Sequence, residues 1–242
     1  MKKLSLSVVV LFSFLAFANA QSGLLDKVKS AVSGNNTKGA GLSNADIVSG
    51  LKEALTLGAQ KSAERLSVAD GFFKDAVVKV LMPPEAQKVE KTLRGIGLGN
   101  LVDDAILSMN RAAEDASKSA APIFVDAVKN MSISDALGIL RGPDTAATSY
   151  LKKSTTGKLS IAFKPVIDAS LQKTDATKYW KTLIDEYNKV PFTKKVNSDL
   201  SAYVTQKAMD GIFYYVAQEE AKIRKDPAAQ ATDLLKKVFG GK

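Results

Sequence analysis

The chain contains no cysteine and no histidine. Without cysteine there are no disulfides, no thiol nucleophile and no cysteine to carry an N-terminal lipid. Without histidine there is no Ser-His-Asp or Cys-His relay and no imidazole general base. Together the two absences remove the ligands of nearly every zinc, copper or haem site, so no metal centre and no cofactor is expected. A catalyst built here has only carboxylates, Lys, Tyr, Arg or an oxygen-bound Ca²⁺ or Mg²⁺ to use, and no catalytic set stands out. Internal repeats of about 20–50 residues are missing as well. No basic run is interleaved with aromatics, so nucleic acid is not an expected partner.

What is present is ordinary globular composition. The 242 residues are 45% hydrophobic and 24% charged, enough for one sizeable core. The start reads differently. Lys2 and Lys3 precede the apolar run Leu4–Phe17, which ends in Ala18-Asn19-Ala20. A basic n-region, a short h-region and an A-x-A site make residues 1–20 an expected signal peptide, cleaved after Ala20. The run is too short for a stable membrane span, and nothing later is long and apolar enough to make one. We therefore expect an exported, periplasmic protein with no transmembrane segment. Loss of Lys2 and Lys3 lowers the formal charge from +9 to +7, compatible with at most peripheral membrane contact.

The stretch Asp199–Arg224 organises the rest. It has no Pro and one interior Gly, and as a helix it spans roughly 39 Å. With Ile212 at the centre of one face, Ala208, Met209, Tyr215, Val216 and Ile223 fall within roughly 60° of it. Glu219 lies about 20° from that centre, where a carboxylate must be paired, act as a cap, take up a proton or meet a ligand. Glu220, at the stripe edge, stands four residues before Arg224, the favourable order for a structural ion pair on the surface.

Ahead of it the chain reads as helices joined by short turns. Residues 21–43 hold a short amphipathic helix and the flexible run GNNTKGAG, and residues 44–242 form one helical domain. Ser43 with Asp46 caps a helix to about Leu66. Asp70-Gly71 is a turn. Residues 72–82, rich in Val and closed by Pro83-Pro84, are the one candidate for an extended or hairpin segment. Pro84 opens a helix to about Leu93. Asn100–Ala120 is helical, with Asn110 about 40° and Glu114 about 80° from its stripe centre at Ile106; Arg111, Asp115 and Lys118 point the other way. A buried Asn needs partners for its amide, either another helix or a ligand.

Pro122–Asn130 and Ile133–Leu140 come next, the second capped by Ser132 with Asp135. Arg141-Gly142-Pro143-Asp144 makes a tight corner, whose new helix N-terminus with Arg141 and Thr145 either is structural or holds an anion. Thr145–Lys153 is helical. Thr155–Gln172 is expected to kink or break at Pro165. Ala176–Lys189 and Ala228–Phe239 complete the set, the latter with Leu234, Leu235 and Val238 facing inward. The expected fold is all-α: an irregular multi-helix bundle around a long C-terminal helix.

Three stretches carry a resemblance: Asn110-Arg111-Ala112-Ala113-Glu114; Ile139 to Asp144 with Ala146, Ala147, Thr148 and Tyr150; and Glu219-Glu220 with Ile223-Arg224, Pro227 and Asp233-Leu234-Leu235 through Gly240. With these the chain resembles the exported bacterial domain-of-unknown-function family 4197. The resemblance implies an all-helical periplasmic protein and no activity, and it raises the expectation that these polar positions meet. The leading functional expectation is a cleft with a polar floor of Asn110, Glu114, Arg141, Tyr150 and Glu219 that binds a small amphipathic or lipid-like envelope ligand. The alternatives are a structural or chaperone-like envelope protein, whose partner is another envelope protein or none, and a hydrolase with Glu219 and Glu114 as acid and base.

Overall fold

A computed structural model of the chain describes residues 43–173 and 199–226, with 177, 180, 181, 184, 185, 188, 195, 230 and 232–239. The expected signal peptide, the helix and linker expected before Ser43, most of Ala176–Lys189 and the side chains of Leu234 and Leu235 lie outside these residues. The chain divides into two compact units, and the described residues all belong to the second, Leu42–Lys242. Among the described residues all regular structure is helical, with no strand.

Helix α1 spans Asn44–Ser67, α2 Gln87–Gly95 after a 3-10 turn at Pro84–Ala86, α3 Gly99–Ser117, and α4 Ala120–Lys129. Then come α5 at Ile133–Arg141, α6 at Ala146–Gln172, α7 at Leu200–Lys225 and α8 at Asp233–Phe239. The short polar residues before the apolar runs explain several starts. Ser43 accepts the Asp46 amide at 3.1 Å while Asp46 accepts the Ser43 amide at 3.2 Å. Ser132 and Asp135 repeat this box at 3.1 Å both ways. Asp199 accepts the Ala202 amide at 2.9 Å and opens α7. Each such cap is worth about 1 kcal/mol.

Helix α7 packs against α6, α1, α3 and α8. Neighbours on several sides bury more of it than one stripe: Val204, Thr205, Ala208, Met209, Ile212, Phe213 and Val216 are all inside. Helix α6 corrects two expectations. It is one helix rather than two, and Pro165 does not interrupt it. Its buried residues Ala147, Leu151, Thr155, Leu159, Phe163, Ile167 and Leu171 recur every fourth position. A period of four drifts about 40° per step on a helix of 3.6 residues per turn. The stripe therefore winds around α6 and meets α3, α4, α5 and α7 in turn. Pro165 is on the exposed side, away from that stripe. The carbonyl it leaves without an amide partner is that of Ile161, itself 78% exposed, so water takes the missing bond. Thr155 satisfies its own hydroxyl on the Leu151 carbonyl at 2.6 Å.

Between α1 and α2 the chain turns at Asp70-Gly71 and then runs without helix to Pro83. Asp70 has φ +69°, a left-handed conformation that Asp tolerates better than most residues. A Cβ on Gly71 would stand 2.7 Å from the Arg65 carbonyl oxygen, so the turn must have glycine there. Beyond it Val78, Val80 and Met82 are buried while Val77 and Leu81 are exposed. Turns continue through 71–74 and 76–78, the latter closed by the Lys79 amide on the Asp75 carbonyl at 3.0 Å, so the run expected to be extended or a hairpin over 72–82 is free of turns only over 79–83 and forms no strand.

Candidate functional site

The buried polar residues of α3 hold this non-helical segment. Asn110 is fully buried. Its Oδ1 accepts the Val80 amide at 2.8 Å, and its Nδ2 donates to the Val80 carbonyl at 2.8 Å and to the Ile106 carbonyl at 2.7 Å. One side chain thus gives Val80 the paired bonds that a neighbouring strand gives. One turn on, Glu114 Oε1 accepts the Phe72 and Phe73 amides at 3.0 and 3.2 Å. Its Oε2 takes Arg111 at 2.7 Å, and Arg111 reaches on to Asp70, also at 2.7 Å. The segment therefore runs antiparallel to α3, gripped at 72–73 and again at 80. Arg111 corrects the expectation that it faces away; its reach to Glu114 at i+3 was the available signal.

Helix α7 holds the same segment from the other side. The Tyr203 hydroxyl donates to the Leu81 carbonyl at 3.0 Å. Tyr215 donates to Asp75, Arg65 pairs with Asp75 at 3.3 Å, and the Arg65 guanidinium lies 4.2 Å over the Tyr215 ring. Gly211 lets α7 approach, since a Cβ there would stand 2.6 Å from the Phe72 ring. Burial works against the Asp75 carboxylate. Hydrogen bonds from Tyr215, the Val77 amide, Arg65 and the Val78 amide outweigh it and hold its pKa below the ordinary value. Burial and then the Asp75 carboxylate push the Tyr215 hydroxyl up.

The two shifts limit stability at opposite ends of the pH scale. Asp75, lowered in the fold, stabilises above the unfolded aspartate pKa near ~3.9, and that stabilisation is lost as pH falls through its folded pKa. Tyr215, raised in the fold, stabilises below about pH 10, and that is lost as pH rises through its folded pKa. Tyr215→Phe is expected to cost about 1.5–3 kcal/mol at pH 7, because the lost bond goes to a charged group. Urea unfolding across pH should show the alkaline loss of stability shrinking in Tyr215→Phe and the acid loss shrinking in Asp75→Asn. Curves parallel to wild type would refute this.

The second polar cluster is at the α5–α6 corner. Glu220 and Arg224 pair at 2.9 Å with side chains only 4% and 7% exposed. This corrects the surface position expected for them. Glu220 Oε1 accepts the Ala147 amide at 3.0 Å; its Oε2 accepts the Thr148 amide at 2.8 Å and hydroxyl at 2.7 Å. Arg224 donates to the Ile139 carbonyl at 2.9 Å. The carboxylate thus sits on the N-terminus of α6 and the guanidinium on the C-terminal turn of α5, each charge matched to a helix end. The anion expected at this corner is Glu220 itself. Thr148, not singled out from periodicity, supplies two of its bonds.

The neighbouring acid corrects the other expectation. Glu219 packs its stem on α1, with its Cβ 3.3 Å from the position of a Cβ on Gly58, and its carboxylate leaves the core to meet Lys222 at 2.6 Å. Arg141 is exposed, and Tyr150 is half-buried with its hydroxyl raised by burial and then by Asp135. The residues expected to share one floor therefore divide. Asn110 and Glu114 serve the segment 72–80, Glu219 serves the α1–α7 contact, and Glu114 and Glu219 have no partner in common.

Among the described residues, two surface hollows stand out. One, on α3 and α6, is lined by Asp115, Lys118, Pro165, Val166, Ala169 and Lys173 among others. The other is a groove of about 400 Å³ between the segment 77–84 and α7, where Val77, Leu81, Met82, Tyr203, Lys207 and Tyr214 face one another. None of Asn110, Glu114, Arg141, Tyr150 or Glu219 lines either. Asn110 and Glu114 instead build the wall of the second groove from behind. Among the described residues no helix is long and apolar enough to cross a membrane, and no acidic cluster could hold a metal ion.

A search of the curated proteins and one of the solved structures each returned no match. The model of one protein family, described as protein of unknown function (DUF4197), matches residues 41–240, which takes in the Asn110–Glu114 grip, the Glu220–Arg224 corner and both hollows. The chain belongs to the DUF4197 family.

Proposed function

We propose that this is an exported envelope protein that binds a small amphipathic, lipid-like ligand in the groove between residues 77–84 and α7. The observation that carries this reading is that three of the exposed large apolar side chains among the described residues gather around one groove. Val77 is 63%, Leu81 55% and Tyr214 38% exposed around one groove. Such side chains gain from being covered, by roughly 25 cal/mol per Å² of apolar area removed from water. The groove's volume falls within the range of small-molecule sites, about 300–1,000 Å³. Its wall is held at both ends by side chains of α3 and α7, so it is largely formed before any ligand arrives. Export rests on the leader-like residues 1–20.

Native mass spectrometry of the protein purified from its own envelope tests both parts. The expected protein mass starts at Gln21 and carries a lipid-sized adduct, and Val77→Asp with Leu81→Asp removes the adduct. A wild-type mass without adduct would overturn the binding reading; a mass that includes residues 1–20 would overturn cleavage. A structural envelope protein without ligand is the second reading. It is favoured by the way Asn110, Glu114 and Glu220 all spend hydrogen bonds on the chain's own backbone, and the bare mass is its expected result.

A further inference from the structure

Asn110 fixes more than the position of Val80. It takes the Val80 amide and the Val80 carbonyl together, at 2.8 Å each. In a trans peptide group the C=O of one residue and the N–H of the next point opposite ways. The Lys79 carbonyl is therefore turned away from α3, because the Val80 amide faces it. The Leu81 amide is turned away too, because the Val80 carbonyl faces it. The Leu81 carbonyl agrees from the other side, since it accepts the Tyr203 hydroxyl of α7 at 3.0 Å. This outer edge of the wall faces α7 across the groove, and Lys79 and Leu81 both line that groove.

Among the described residues neither the Lys79 carbonyl nor the Leu81 amide makes a hydrogen bond. The two flank Val80 as an acceptor and a donor on one edge. That is the pair which a single residue of a parallel strand takes up with its own N–H and C=O. The pair lies between two places where α7 closes on the wall. A Cβ on Gly211 would stand 3.3 Å from the Val78 Cβ, and the Tyr203 side chain spans the gap at Leu81. The charges around the groove balance. Lys79 and Lys207 line it with Asp210, and Glu85 stands near Tyr203, whose hydroxyl is pushed up by burial and then by that carboxylate. Lys79 Nζ lies 4.1 Å from the centre of the Phe73 ring, which Arg111 of α3 also approaches, and Lys207 Nζ lies 5.8 Å from that of Tyr203. Two cations against two anions favour no net charge in a ligand.

Resting on the groove reading, we infer that the ligand is a neutral N-acyl amide, one alkyl chain joined through an amide to an amino-acid unit. Its amide N–H donates to the Lys79 carbonyl, and the carbonyl of its amino-acid unit accepts the Leu81 amide. Its alkyl chain covers Val77, Leu81 and Tyr214, the exposed apolar side chains of the groove. The hollow, about 400 Å³, is near the small end of ligand sites and takes one chain rather than two. A head that offers only acceptors, or only a charge, leaves the Lys79 carbonyl without a donor once the groove is covered.

Calorimetric titration of the purified protein with N-decanoylglycinamide and with the decanoyl ester of glycolamide, both below the concentrations at which they aggregate, tests this. The two differ at one N–H, which the ester replaces with an oxygen that would face the Lys79 carbonyl. The amide is expected to bind at least about 5-fold more tightly, the worth of one ordinary hydrogen bond. Leu81→Pro deletes the Leu81 N–H and keeps the residue before it in extended conformation. It should bind the amide at least about 5-fold more weakly than Leu81→Val, which keeps the N–H and an apolar side chain. Thermal unfolding verifies that both variants are folded, and the comparison of amide with ester on wild-type protein decides the matter even if Leu81→Pro is not. Equal affinity of the wild-type protein for the two compounds would overturn the amide head while leaving the groove reading intact. A folded Leu81→Pro that binds the amide as well as Leu81→Val does would overturn the role of the Leu81 N–H. No binding of either compound would overturn the groove reading itself.

Discussion

Glu220→Gln is expected to lower the free energy of unfolding by roughly 3–5 kcal/mol, the range for breaking a buried ion pair from one side. For a chain of this size that is a fall in Tm on the order of 10 °C. The substitution keeps the side-chain volume. It removes the charge that faces Arg224, whose side chain is only 7% exposed, and it weakens the acceptor for the Ala147 and Thr148 amides. Arg224→Leu should cost a similar amount by leaving the carboxylate without its cation. The double variant should be less unfavourable than the sum of the two, because neither charge is then stranded. Glu219→Gln is the control. It stands next in the chain, but its carboxylate meets Lys222, whose side chain is 57% exposed, and exposed pairs contribute about 0–1 kcal/mol. If Glu220→Gln proves as mild as Glu219→Gln, the corner clamp is not what holds α5 to α6.

Asn110→Ala comes next in expected size, at about 3 kcal/mol. It removes three hydrogen bonds and leaves the Val80 amide and carbonyl buried with no partner, at roughly 1–3 kcal/mol for each unsatisfied group. Asn110→Asp is the sharper probe. A carboxylate still accepts the Val80 amide but turns an oxygen toward the Val80 and Ile106 carbonyls. It should be at least as destabilising at neutral pH and recover in part in acid, when protonation restores one donor. Hydrogen exchange gives the local readout: the Val80 amide should exchange faster in both variants. Unchanged protection at Val80, with stability near wild type, would mean that the segment holds itself without α3.

Much of the helical frame was legible in the residues. Ser43 with Asp46 and Ser132 with Asp135 announce two helix starts because the capping chemistry is local. The Val-rich run before Pro83-Pro84 was legible as non-helical, but its first part folds into turns around Asp75 instead of extending. Asn110 was legible as buried, since it stands only about 40° from the stripe centre at Ile106. Glu219 and Glu220 were not told apart because α7 is covered on several sides, and a single stripe axis no longer says which of two adjacent acids is inside. Periodicity missed Thr148 because its partner lies 72 residues away, and beyond the i+3 reach of Arg111 to Glu114 it gave no sign of the bond to Asp70, 41 residues away. Periodicity reports which side of a helix is covered, not what covers it. The groove was hidden for that reason too: Val77 and Leu81 come from one element and Tyr203 and Lys207 from another, and only the fold brings them together.

The grip of α3 on residues 72, 73 and 80 touches only peptide groups. Such a hold is indifferent to which side chains the segment carries. Val77, Lys79 and Leu81 are therefore free to be exchanged for other residues without unseating the strip they belong to. Rewriting these few outward positions would change the face that the strip presents, while Asn110 and Glu114 go on holding whatever is written there.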